Sequence, residues 1–128
     1  MSKETRGATE LTQQQAESWL EEWQPILRLC DWNISVQVVR GREVDNDHGQ
    51  CWLSRQEKVA RIKLKMPGDH DETQSTPYNA EHTLIHELIE LHFDVFKTEK
   101  KGFKHNAQEL AINMLADALL KARLLPAK

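Results

Sequence analysis

The chain has two cysteines, Cys30 and Cys51, and no Cys-x-x-Cys pair. That excludes a cysteine-based zinc ribbon, and two separated thiols suit a reducing compartment. No apolar run approaches the roughly 18 residues of a membrane span. The opening residues, Met1-Ser2-Lys3-Glu4-Thr5-Arg6, have no apolar core and do not read as a secretory signal. Positive charge is not in excess either. The formal net charge of −3 argues against the phosphate backbone of a nucleic acid as the main partner, while leaving room for a local basic patch. There is no internal repeat and no low-complexity tract. These absences predict a cytoplasmic protein with no membrane partner.

What is present is a globular balance of 39% hydrophobic and 29% charged residues in 128. A chain of that length buries roughly two-thirds of its unfolded surface and needs no metal merely to fold. The expected organisation is a disordered polar tail over 1–10 and a single domain over 11–125. Thr12, with Gln15 three residues on, reads as a capping box, and Leu11 as a staple onto Ala16. Ala16, Leu20, Trp23, Ile26, Leu27 and Cys30 follow helical spacing, with Pro25 expected to kink or divide the helix. Ile34, Val36 and Val38 alternate as a strand, Cys51-Trp52-Leu53 opens a second, and 54–58 reads as a hairpin turn. Ala60, Ile62, Leu64 and Met66 alternate with Arg61, Lys63 and Lys65, giving a third strand with one apolar and one solvated basic face. Helices are expected over 79–97 and 103–123. The four tryptophans read as core or strand anchors, and their spread gives no stacking platform for single-stranded nucleic acid. The fold class is α+β: an N-terminal helix, a small three-stranded sheet and two final helices.

The helix over 79–97 carries the chemistry. Its apolar arc holds Leu84, Ile85, Leu88, Ile89 and Leu91, with His92 among them and so expected to be buried. The opposite arc holds His82, Thr83, His86, Glu87, Glu90 and Asp94. Two ligands at i and i+4 can share one metal ion, and a Glu directly after the first lies where it can take a proton from water. Here the string is His86-Glu87-Leu88-Ile89-Glu90, with a carboxylate in the second ligand place. The same arc also suits a plain solvated helix face.

The segment Thr83-Leu84-Ile85-His86-Glu87-Leu88-Ile89-Glu90-Leu91-His92-Phe93 resembles the small, minimal zincin-like metallopeptidases of phages and prophages. Asp31-Trp32-Asn33-Ile34 is similar to the start of their first strand, residues 60–64 to their cleft-side strand, and the stretch from Glu109 to Ala116 to their last helix. The resemblance implies metal ligands at His86 and Glu109 and a catalytic general base at Glu87. Glu90 stands where the family has its second histidine. A His86, Glu90, Glu109 site would take Zn2+, or Mn2+ or another divalent ion, with His82 and His105 as additional ligands. The implied activity is a metallopeptidase acting on a peptide or protein substrate, in the host cytoplasm if phage encoded. The substrate would pair along the edge of the 60–66 strand, and the last two helices should bring Glu109 to His86. The alternatives are a zincin-fold binding or inhibitor module without turnover and, disfavoured by the net acidity, a DNA-associated protease.

Overall fold

The computed structural model describes residues 11–45, 47–70, 78–94 and 102–124; the expected tail over 1–10 and the expected helix end over 95–97 lie outside them. The order is helix α1 (Gln13–Ile26), strands β1 (Asn33–Val39), β2 (Gly49–Ser54) and β3 (Val59–Lys65), and helices α2 (Ala80–Phe93) and α3 (Phe103–Arg123). The fold is α+β. None of its helices is long and apolar enough to cross a membrane, among the described residues.

The Thr12 side chain accepts from the Gln15 backbone N–H at 3.0 Å and starts α1, whose Ala16, Trp19, Leu20 and Trp23 are buried. Pro25 does not divide this helix; it sits in its last turn, and just beyond the helix Arg28 takes a left-handed φ of 61°. Ile26 is therefore 52% exposed and Cys30 is exposed, although both follow the helical period.

The sheet has the order β1-β3-β2, with β3 parallel to β1 and antiparallel to β2. The β2–β3 turn has no glycine; Lys58 takes the left-handed conformation, at φ 55°. Ala60, Ile62 and Leu64 of β3 are buried as their alternation predicts, against Leu84, Ile85 and Leu88 of α2, with α1 and Ile112, Ala116 and Leu120 of α3 completing one core. Because β3 is central, both its edges are already hydrogen-bonded. A substrate cannot pair along it; the edge on the α2 side belongs to β2. The basic face is also only partly solvated. Arg61 and Lys63 are exposed, but Lys65 is 1% exposed, its Nζ lying 3.0 Å from His70 Nδ1 and 5.2 Å from the centre of the Tyr78 ring. Trp19 and Trp23 are core residues, whereas Trp52 is 56% exposed with Arg61 over its ring.

Candidate metal centre

The Asn79 side chain accepts from the His82 backbone N–H at 3.1 Å and starts α2. Its apolar side enters the core as expected. The other side is not a solvated face: Thr83 and Glu87 are 6% and 8% exposed. Residues of α3 reach His86 there, and β2 runs alongside. Gly49 makes that approach possible, since a Cβ on it would lie 2.8 Å from both Thr83 Cγ2 and the Lys63 carbonyl oxygen.

His86 is the hub. Its Nδ1–H donates to Asn113 Oδ1 at 2.7 Å, which fixes the ring and turns Nε2 toward Glu90 Oε1 at 3.1 Å and Glu109 Oε1 at 3.5 Å. Donor atoms of His86, Glu90 and Glu109 all lie within 4.8 Å of one another. Two ligands on a tetrahedral ion with arms of about 2.0–2.1 Å are separated by about 3.3 Å, so these spacings suit a shared divalent ion. The side chains are 15%, 30% and 34% exposed respectively, so the group is partly open to solvent.

The electrostatics are those of crowded acids around one imidazole. Burial pushes the Glu87 carboxyl well above the usual range, and the neighbouring Glu90 adds to it. Glu109 is raised by burial and by its hydrogen bond to Glu90. Burial also acts to raise Glu90, but hydrogen bonds from His86 and Glu87 outweigh it and hold Glu90 low. Burial alone would lower His86; the hydrogen bond to Glu90 and the charges of Glu90, Glu87 and Glu109 lift it instead to about 9. Glu90 is thus the central anion, with proton-holding neighbours on either side. A divalent cation offsets that negative charge in place of protons.

His86, Glu87, Glu90 and Glu109 therefore come together, but His82 and His105 do not join them. Among the described residues the converging group holds only His86, Glu90 and Glu109. His105 acts on Glu109 through its charge alone, and His82 interacts electrostatically with His48. The imidazole of His48 belongs to a separate ring cluster, 5.3 Å from that of His70 and 4.9 Å from the Tyr78 ring. His92 is exposed rather than buried. It has the angular position of the apolar face but sits in the last turn, where its Nε2 meets the Leu27 carbonyl at 2.6 Å.

Three residues escaped the sequence reading, two of them beside the site. Asn113 follows Glu109 by one helical turn, a spacing that could have revealed it. Cys51 has no motif around it. Its thiol is pushed up to about 12 by burial and by the charges of Glu87, Glu90 and Asp94, which places β2 beside the acids. Glu81 falls inside the apolar arc and is 0% exposed; its carboxylate accepts the Trp23 indole N–H at 2.9 Å and pairs with Arg123.

No family model matches the chain, and neither a curated protein nor a solved structure matches it.

Proposed function

We propose that His86, Glu90 and Glu109 hold a divalent metal ion, zinc or otherwise manganese or a related ion, in a hydrolase acting on a peptide or protein substrate. The observation that carries this reading is the His86 Nε2 aimed at two carboxylates while Asn113 holds Nδ1. The resemblance of the 83–93 segment to minimal zincin-like peptidases of phages supports the same chemistry, and a cytoplasmic setting goes with it. A bound divalent ion supplies Lewis acidity toward a scissile carbonyl and toward water. The chain supplies the rest. Asn113 orients His86. Glu87 accepts a proton at its carboxylate and returns it to the leaving amine, a role suited to a buried carboxyl that holds protons tightly. The outer edge of β2, unpaired among the described residues, offers backbone groups to an extended substrate.

A second reading, a binding module without turnover, draws on the His86–Glu90 pair. A proton on Nε2, beside the one on Nδ1, satisfies that contact at 3.1 Å without any metal. Metal analysis of untagged protein, purified without added metal and then equilibrated with zinc, separates the two. The metal reading expects about one equivalent, lost in His86→Ala and held more tightly in Glu90→His, since imidazole is the better zinc ligand. No retained zinc in either wild type or Glu90→His leaves the binding module.

A further inference from the structure

The outer face of the sheet, turned away from the helices, departs from the overall acidity of the chain. The strand register builds it from two rows. Arg61 of the central strand lies between Ser35 and Trp52, and Lys63 lies between Gln37 and Gln50. All but Gln50 are exposed, and Gln50 is half-buried. No outward-facing position of the three strands carries Asp or Glu, although the formal net charge is −3. Arg61 and Lys63 are two residues apart on one strand, so they stand roughly 7 Å apart in a line across the face. Neither has a described carboxylate partner: among the described residues Arg61 contacts the Trp52 ring, with its guanidinium carbon 5.6 Å from the ring centre. That leaves a large indole 56% exposed at the edge of a cationic strip.

An exposed indole beside an unneutralised guanidinium has a specific use. A single-stranded nucleic acid presents flat bases and a phosphate chain together. Bases stack on an aromatic side chain, phosphates follow the cations, and side-chain amides such as Gln37 and Gln50 reach base edges. An acidic peptide would use the two charges but would gain nothing specific from the indole. We propose that this open sheet face binds single-stranded nucleic acid, with Trp52 as the stacking platform and Arg61 and Lys63 on the phosphates. The sequence, read by net charge, points away from such a partner. The register concentrates the few relevant residues on one face, which total charge does not register. The proposal is independent of the metal centre, which lies among α2, α3 and the opposite side of β2.

The test is fluorescence anisotropy of a labelled oligodeoxythymidylate of about 15 nucleotides, titrated with the full chain in chelator at low salt, beside labelled polyglutamate. Weak binding is expected, with a log–log salt slope of magnitude about 1 to 1.5 from two phosphate contacts. Trp52→Ala should weaken it by roughly tenfold or more, and Arg61→Glu with Lys63→Glu should abolish it. Circular dichroism checks that these exposed substitutions leave the fold intact. Absence of binding overturns the proposal, as does binding that ignores the three substitutions. Binding that survives Trp52→Ala and is matched by polyglutamate also overturns it, reducing the face to a general anion surface.

Discussion

Helix α2 buries two glutamates, Glu81 and Glu87, and gives them opposite surroundings. Glu81 is 0% exposed and fully provided for: its carboxylate takes the Trp23 indole N–H at 2.9 Å and the Arg123 guanidinium, which also reaches Glu22 at 2.6 Å. Glu87, less than two turns along, is 8% exposed and faces other acids, with the His86 imidazole as its opposing charge. A buried charge with matched partners is a structural element. A buried acid whose neighbours push its pKa upward sits in a place where the fold leaves electrostatic work undone, and such places cluster at functional sites. The first glutamate ties α1, α2 and α3 together; the second waits on protons or a cation.

The comparison breaks most directly by removing each acid in turn. Glu87→Gln keeps the shape of the protonated side chain, so it should leave folding and zinc retention near wild type. It should lower any metal-dependent peptide hydrolysis by about 100- to 10,000-fold, the usual worth of a positioned proton-transfer group. Glu81→Ala should do the reverse. It strands the Trp23 N–H and half of the Arg123 interactions in the core, and it should cost about 2–3 kcal/mol of stability in a urea melt without touching zinc stoichiometry. If Glu87→Gln destabilised the fold as much as Glu81→Ala, the distinction between the two sites would collapse.

Asn113 sharpens the same contrast from the α3 side. Its side chain is exposed and bonds to His86, while Ile112, Ala116 and Leu120 do the packing of α3. Asn113→Ala should therefore weaken zinc binding by about 10- to 100-fold, as loss of a partner that orients a metal-binding histidine commonly does. Its thermal melt in chelator should stay close to wild type. Equal zinc affinity in the two proteins would mean that Nδ1 orientation does not matter here.

Much of this was legible in the sequence because it rests on periodicity. Alternation in 60–64 and the 3.6-residue repeat of α2 gave the elements, and the i, i+4 spacing of His86 and Glu90 gave half of the site. The approach of Glu109 needed the resemblance, since nothing local links two helices. What periodicity could not supply was depth. It placed Thr83 and Glu87 correctly on a polar arc, but it could not show that α3 and β2 would cover that arc. It put His92 on the apolar side but not at the end of the packed layer, and it gave Lys65 the alternation of Arg61 and Lys63 without the His70 and Tyr78 rings that cover it. Glu81 shows the converse: an acid inside an apolar arc is an anomaly visible in one dimension, and its partners Trp23 and Arg123 lie 58 and 42 residues away.

The Glu87 site should also respond to pH. His86 is held at about 9 in the folded chain, above its unfolded value near 6.5. A raised histidine contributes stability that is present below the unfolded pKa and is lost as pH rises through the folded one. Glu87, also raised, works in the same direction, because the unfolded chain ionises it more easily. Metal-free protein should therefore lose stability as pH rises, with the Glu87 contribution fading from its unfolded value near 4.5 upward and that of His86 between about pH 6.5 and pH 9. Zinc must displace protons from the same groups, so the rise in melting temperature on adding zinc should grow over that interval. Melts at a series of pH values, with and without zinc, give both trends, and a zinc shift that shrinks toward alkaline pH would contradict the site.

The smallest expected effect lies at the two thiols, and it asks whether the acids around Glu87 are felt beyond the site. Cys30 is exposed, at the turn after α1, whereas Cys51 is half-buried on β2, its thiol pushed up to about 12. The thiolate is the reactive form, so at pH 8 iodoacetamide should modify Cys30 readily and Cys51 slowly. Burial is the leading cause of the shift, with Glu87, Glu90 and Asp94 adding to it. Replacing the Glu87 carboxyl by Glu87→Gln should thus speed Cys51 labelling only slightly, while unfolding in urea should bring the two thiols to the same rate. Mass spectrometry of timed samples measures both. Cys51 labelling as fast as Cys30 in the native protein would mean that β2 does not lie closed against α2, and the wall of the candidate site beside Glu87 would be open.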